Sequence, residues 1–277
     1  MTRIAVHGAS GRMGREVLRL VLADPIVSLV AAFDRSESDQ IGSDAAALCG
    51  EAPCGIEVLS LSDRETIEQR LAETDVVVDF SLPNALMTLC TWCEEQRVPL
   101  VTGTTGLSQA QDEQLSELAQ AVPVVHAPNF SQGVGALLEL AKQAIGLLDE
   151  KFDLEIVEMH HRRKVDAPSG TARKLAEVSA DAKGWPHTTI RETRSGTIGP
   201  REDREIGVMT LRGGDVVGEH TLILSGAGER LELTHRATDR SIFARGAVRA
   251  AKWLVGRPAR RYSMQDVIRA AGQEQTS

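Results

Sequence analysis

A short apolar strand, Arg3-Ile-Ala-Val-His7, runs without a break into Gly8-Ala-Ser-Gly11-Arg-Met-Gly14 and then into a helical pattern. No other stretch restricts the chain as much. Glycines three apart permit a tight turn and leave bare amides at the start of a helix, where the dipole favours an anion. The spacing is G-x-x-G-x-x-G rather than the commoner G-x-G-x-x-G. It suits a pyrophosphate approaching the bare amides at the start of that helix. The next strand pattern ends in Phe33-Asp34-Arg35, with Asp34 twenty residues beyond Gly14. A carboxylate there can accept hydrogen bonds from ribose hydroxyls, and Arg35 beside it can pair with a 2′-phosphate. Together they predict use of both NADH and NADPH, with a solvated loop cation as the plainer reading of Arg35.

Strand and helix patterns alternate through the first half. Apolar strands are expected at Arg3–His7, Val27–Phe33, Val76–Phe80, Leu100–Thr102 and Val122–His126. Helical spacing fills Arg12–Leu22, Arg64–Ala72, Asn84–Gln96 and Ser108–Gln120. Strands this apolar, separated by helices, require a parallel sheet covered on both faces. The fold class that follows is α/β: a doubly wound, Rossmann-like dinucleotide-binding domain. Ligands of such sheets lie outside the carboxyl ends of the strands. Two strand-end loops, Thr102-Gly103-Thr104-Thr105-Gly106 and Ala127-Pro128-Asn129-Phe130-Ser131, are therefore expected near the nicotinamide end. Thr104 and Thr105 offer hydroxyls there, and Phe130 a ring.

The pattern changes after about residue 130. A helix at Val134–Leu148 leads into an alternating strand, FDLEIVEMH, and strands follow at Ile206–Arg212, Val217–Leu224 and Arg230–His235. Short glycine turns between them read as a meander in a mixed or antiparallel sheet. A smaller α+β domain with a mixed sheet is expected here. Gly196–Glu205 reads as a loop, and helices close the chain at Ile242–Val255 and Met264–Ala270.

The formal net charge of −8 argues against a general nucleic-acid binder, so any anion site must be local. No apolar run approaches the length of a membrane span, and the N-terminus lacks a signal-peptide layout, which points to the cytoplasm. Cys90 and Cys93 form a C-x-x-C, but at the middle of a helix they read as small buried apolar groups rather than a redox or zinc pair. His126, His187, His220 and His235 are scattered without close ligand spacing, so no metal is expected.

Against that acidic background, His160-His-Arg-Arg-Lys164 gathers five groups that carry or can carry positive charge. It follows a strand and precedes Asp166-Ala-Pro-Ser-Gly-Thr171, which opens a helix with Ser169 as its N-cap. The amides of Gly170 and Thr171, with Lys164 and one or both histidines above them, would hold a small dianion. Cations there hold histidine pKa values down and keep an imidazole titrating near neutrality. A non-catalytic nucleotide sensor would explain the glycine turn and Asp34 but leaves His160 and Lys164 without a task.

Seven stretches, VHGASGRMG, VVVDFSLP, VTGTTGLS, APNFSQGV, EMHHRRKVDAPSGTA, GDVVGEHT and FARGAVRAAKWL, carry a resemblance over nearly the whole chain to the dihydrodipicolinate reductase family. That resemblance implies an NADH- or NADPH-dependent oxidoreductase of lysine and diaminopimelate biosynthesis. Its reaction would reduce (hydroxy-tetrahydro)dipicolinate, a cyclic dicarboxylate, to tetrahydrodipicolinate. It makes His160 the general acid–base and Lys164 a proton donor and carboxylate ligand. Substrate would be bound by His161, Lys164, Gly170, Thr171 and Thr105. The cofactor would rest on Gly8, Ala9, Ser10, Gly11, Arg12, Met13, Asp34, Arg35, Gly103, Thr104, Thr105, Ala127, Pro128, Asn129 and Phe130. The resemblance also implies a homotetramer built through the second domain's sheet. It returns the last helices to the first domain, so the domains become 1–129 with 240–277, and 130–239. His7 and Pro128 depart slightly from the pattern, and neither departure is expected to matter.

Overall fold

The computed structural model describes residues 1–274, and residues 275–277, which the sequence assigns to the first domain, lie outside the described residues. The chain forms two compact units, Met1–Ser131 with the segment from Ser241 onward, and Gln132–Arg240.

The first unit runs β1 (Thr2–His7), α1 (Arg12–Ala23), β2 (Val27–Asp34), β3 (Val58–Ser60), α2 (Arg64–Ala72), β4 (Val76–Asp79), α3 (Pro83–Gln96), β5 (Leu100–Thr102), α4 (Gln109–Ala121) and β6 (Val124–His126). Among the described residues every strand pairing in its sheet is parallel, in the order β12-β6-β5-β4-β1-β2-β3, where β12 is Arg261–Tyr262. The order reverses between β1 and β4, which makes their carboxyl ends the place where a doubly wound sheet opens a crevice.

Although β1 and β4 read as continuous apolar runs, their residues still alternate between faces. Ile4, Val6, Val76 and Val78 pack with Val17, Leu18 and Val21 of α1. Ala5 and Val77 face the other way, with Leu71 of α2 and Leu89, Cys90 and Cys93 of α3. Ile4 is fully buried, and its truncation to alanine would cost about 2–5 kcal/mol. Helix starts follow local chemistry. Pro83 opens α3 at a position where its missing N–H costs nothing, and Ser108 and Gln111 form a reciprocal capping box on α4.

The second unit runs α5 (Gln132–Leu147), β7 (Asp153–His160), α6 (Gly170–Lys183), β8 (Ile190–Arg191), β9 (Ile206–Arg212), β10 (Gly218–Gly226) and β11 (Glu229–Ala237). Its sheet order is β11-β10-β7-β9-β8. Alternation along β7 sends Leu154 and Ile156 into a core with Leu138 and Ala141 of α5 and Leu175 of α6. The chain then returns to the first unit as α7 (Ser241–Leu254), β12 and α8 (Met264–Glu274).

The meander expected for β9 and β10 is not what forms. β7 lies between them, parallel to β9 and antiparallel to β10, so the Gly213–Val217 connection crosses a strand rather than making a tight hairpin. The backbone supplies the reason. Gly213 N–H donates to the His160 carbonyl at 3.0 Å and Arg162 N–H to the Gly214 carbonyl at 3.2 Å. The crossing segment thus satisfies polar groups where β7 ends, and it lies directly against the histidine pair.

Candidate functional site

In the first unit the glycine turn is sterically closed to larger residues. Gly8 has φ +75°, and a Cβ there would lie 2.7 Å from the Phe80 carbonyl oxygen. A Cβ on Gly14 would lie 2.1 Å from the Gly8 carbonyl oxygen, so α1 can pack this close to the turn only without one. Asp34 is buried and accepts from Ser10 N–H at 2.7 Å and from Arg35 N–H at 2.8 Å. It braces the turn and retains lone pairs for another donor. Arg12 and Arg35 are exposed. Both features fit a dinucleotide: bare amides at the start of α1 and a carboxylate at the end of β2.

The two strand-end loops present less than the sequence predicts. The Phe130 ring is 1% exposed and meets Phe80 edge-to-face at 5.7 Å, so this residue can offer a ligand only its backbone. Thr104 is also buried, and its hydroxyl donates to Asp79 at 2.7 Å, whereas Thr105 is exposed. His7, given no role by the sequence, is buried with Nδ1 2.8 Å from Asp79. Burial alone would raise the Asp79 pKa, but its contacts with His7 hold it below the usual range.

In the second unit a buried carboxylate organises the histidine end of β7. Glu158 is fully buried and takes the His160 ring nitrogen Nδ1 at 2.5 Å. Both guanidinium ends of Arg212 donate to it at 2.9 Å, and Ser169 N–H and the Thr210 hydroxyl each donate at 3.1 Å. Burial would raise the Glu158 pKa, yet hydrogen bonds from His160 and Arg212 outweigh it and bring the value to about 2. An ionised carboxylate only accepts, so His160 Nδ1 carries the hydrogen and Nε2 is the nitrogen that exchanges protons. The backbone of Gly218 closes over the ring, where a Cβ would lie 2.9 Å from Nε2.

Ser169 caps α6 as expected, accepting from Ala172 N–H at 3.2 Å, and its hydroxyl also meets His220 Nε2 at 3.0 Å. His220 stacks edge-on to His160 at 5.1 Å, and burial together with the charge of His160 pushes its pKa down to about 4. Lys164 lies 2.7 Å from Asp166, which it holds as a carboxylate. Partial burial and the cations Arg240, Arg163 and Lys164 lower the pKa of His161. Gly170 and Thr171 occupy the first turn of α6.

The sequence gives Glu158, Arg212, His220 and Arg240 no role in the site. Glu158 was findable, because it stands two positions before His160 on an alternating strand and so shares its face. Among the described residues no three His, Cys, Asp or Glu side chains gather as a metal site. Cys90 and Cys93 are buried free thiols, the former with its pKa raised by burial to about 12.

The strand order, the closed glycine turn and Asp34 define a two-domain oxidoreductase with a dinucleotide-binding unit. Within that class the chain belongs to the dihydrodipicolinate reductase family. The family model described as "Dihydrodipicolinate reductase, N-terminus" matches residues 2–130, and the C-terminal one matches residues 133–268. The 4-hydroxy-tetrahydrodipicolinate reductase of Anaeromyxobacter dehalogenans (strain 2CP-1) is 46% identical over 98% of this chain and 99% of its own length. That of Alkalilimnicola ehrlichii is 47% identical over 96% of this chain and 98% of its own. Among solved structures, the dipicolinate-bound dihydrodipicolinate reductase from Paenisporosarcina sp. TG-14 superposes with a TM-score of 0.73. It is 27% identical and covers 95% of this chain and 97% of that one. An amine dehydrogenase from Mycobacterium smegmatis, with a TM-score of 0.64 at 14% identity, shares the fold.

Proposed function

We propose that the chain acts on a cyclic dicarboxylate of the dipicolinate type: 4-hydroxy-tetrahydrodipicolinate loses its hydroxyl as water and takes a hydride from NADH or NADPH and a proton to give tetrahydrodipicolinate. The observation that carries this reading is the imidazole of His160 fixed by an ionised, buried Glu158 beside Lys164, His161 and Arg240. A dianion suits the cations and the first turn of α6, where Gly170 and Thr171 stand. When bound, the reduced nicotinamide supplies hydride to a conjugated ring carbon of the substrate. Negative charge then develops at the far end of that conjugated system, and a proton must reach it. His160 Nε2 is the donor in this reading, and Lys164, released from Asp166, binds a substrate carboxylate and stabilises the charge. His161 completes the carboxylate contacts, with Thr105 as a further substrate and cofactor neighbour.

The nucleotide's pyrophosphate would lie on Gly8 to Met13 and its ribose on Asp34, with Arg35 and exposed Arg12 free to meet a 2′-phosphate. Gly103 to Thr105 and the backbone of Ala127 to Phe130 would line the nicotinamide end. A cytoplasmic homotetramer is part of the same reading. No described helix is long and apolar enough to cross a membrane, and the edge strand β11 leaves Leu231 40% exposed. Light scattering would test the assembly.

The activity itself is tested by following NADH and NADPH absorbance with substrate made in place, by the preceding synthase, from pyruvate and aspartate semialdehyde. Oxidation that requires the synthase supports the reading. Binding of either nucleotide with no oxidation would instead favour a sensor.

A further inference from the structure

The carboxylate of Asp79 sits where the sheet order reverses, at the carboxyl end of β4 and directly across from His7 on β1. It is 0% exposed. Its Oδ1 takes His7 Nδ1 at 2.8 Å and Ser81 N–H at 3.2 Å. Its Oδ2 accepts from the hydroxyl of Thr102 at 2.6 Å and from that of Thr104 at 2.7 Å. Two of these four donors belong to one loop, the segment from Thr102 to Gly106 that leaves the end of β5.

Further contacts hold the same loop. Gly103 N–H donates to the Asp79 carbonyl at 2.9 Å. Gly103 also presses on the Phe80 ring, which a Cβ would meet at 2.2 Å. On the far side, Thr104 N–H donates to the Thr102 hydroxyl oxygen at 3.2 Å, and the Thr104 carbonyl is 3.1 Å from His126 Nε2. Arg261 settles the tautomer of that histidine. Its Nη2 donates to His126 Nδ1 at 2.7 Å, so the hydrogen on the ring is at Nε2 and is donated to Thr104. Arg261 is itself held by both carboxylate oxygens of Asp112, at 3.0 and 2.6 Å.

Thr104 therefore has its hydroxyl, amide and carbonyl all committed inward, and Thr105 and Gly106 are the exposed residues that follow it. The sequence offers the Thr104 and Thr105 hydroxyls to a ligand. Here the Thr104 hydroxyl, with that of Thr102, instead ties the loop backbone to a buried charge. We propose that Asp79 is the positioning residue for the nicotinamide end of the dinucleotide, acting through Thr102 and Thr104, with His126 as the second clamp on the same loop. The proposal rests on the reading that residues 103–105 receive that end of the cofactor. A hydride donor must be placed to within a fraction of an ångström. Two loop hydroxyls on one buried carboxylate, with the His126 clamp on the Thr104 carbonyl, give a surface loop that precision.

ADP-ribose separates this role from a general structural one, because it carries the adenosine, pyrophosphate and ribose but lacks the nicotinamide. Isothermal titration of the full-length protein with NADH and with ADP-ribose is the measurement. Thr104→Val removes one hydroxyl at constant shape, and Asp79→Asn puts an amide N–H₂ where a donor is already pointing. Both variants should weaken NADH about tenfold, as loss of about one such hydrogen bond implies, and leave ADP-ribose within about twofold of the wild type. Thr104→Ser, which restores the hydroxyl, should recover NADH affinity. Equal losses for the two ligands would overturn the proposal. So would undiminished NADH affinity in a folded Thr104→Val protein, whatever becomes of Asp79→Asn. If the wild type binds ADP-ribose as tightly as NADH, the loop does not hold the nicotinamide and the proposal fails while the glycine-turn site stands. If it binds neither, the functional reading fails first.

Discussion

His160 Nδ1 lies 2.5 Å from Glu158 Oε2, and both side chains are buried at the end of one strand. The pair aims the imidazole and fixes which nitrogen holds the exchangeable proton. Replacing Glu158 by glutamine would leave Arg212 facing an uncharged group in a buried setting, and breaking such a pair costs about 3–5 kcal/mol. Glu158→Gln should therefore lower the melting temperature by several degrees and reduce kcat by about ten- to a hundredfold, with dinucleotide affinity unchanged. Thermal melts, steady-state rates and isothermal titration check the three parts separately. A variant that melts early but turns over normally would show that Glu158 supports the fold and not the proton donor.

His160→Gln retains a polar side chain of similar size but no titrating nitrogen. It should lower kcat by about 10²–10⁴-fold, the usual contribution of a positioned acid–base group, and leave NADH binding intact. Lys164→Ala should lower kcat and also raise KM for the dicarboxylate, because its ammonium is read both as ligand and as charge stabiliser. Loss of NADH binding in either variant would place these residues in the wrong site. Steady-state kinetics alongside isothermal titration distinguishes the cases.

Much of this site could be read from the chain before any coordinates. The glycine turn, Asp34 and the cap at Ser169 depend on local chemistry, and local chemistry is written in adjacent residues. The parallel sheet was likewise visible in the alternation of apolar strands with helices. β3, β8 and β12 were not, since they span three, two and two residues and show no periodicity. The placement of β7 between β9 and β10 escaped for another reason. A glycine turn between two strands predicts a hairpin, and only packing against α5 and α6 makes the strand before them central. Long-range pairs were the least legible. His7 and Asp79 are 72 residues apart, and nothing in the sequence near either residue points to the other. Thr104 shows the converse error, for a hydroxyl in a ligand-side loop was read as facing outward when its partner lay underneath.

Arg35 bears on cofactor choice. Its backbone N–H is held by Asp34 at 2.8 Å while its side chain is exposed, so the guanidinium can reach a 2′-phosphate without disturbing the carboxylate. Arg35→Ala should weaken NADPH by about tenfold and NADH by less than about twofold, since a charge-assisted contact contributes about 1.5–3 kcal/mol. Titration with both nucleotides decides it. Equal losses would mean that Arg35 does not read the phosphate, and exposed Arg12 would become the residue to test.

His220 gives the second unit a specific sensitivity to acid. Burial lowers its pKa from 6.5 to about 4, reinforced by His160, His235 and Lys164 and opposed by Glu158. Because the folded value is the depressed one, the unfolded chain takes up the proton first. The stability that depends on neutral His220 is thus complete above about pH 6.5 and is lost as pH falls towards 4. At about 1.4 kcal/mol for each pH unit, the loss is roughly 3 kcal/mol across that window. Glu158 acts lower down. Its pKa falls from 4.5 to about 2, so its contribution is intact above 4.5 and disappears only as pH drops towards 2. His235 and His126, both lowered mainly by burial, add to the upper window. Urea midpoints measured between pH 7 and 4 should therefore decline steadily. His220→Phe, which cannot take up a proton, should flatten that decline even if the variant is less stable at pH 7 through loss of the contact with Ser169. A slope unchanged in His220→Phe would mean that the acid sensitivity originates in other groups.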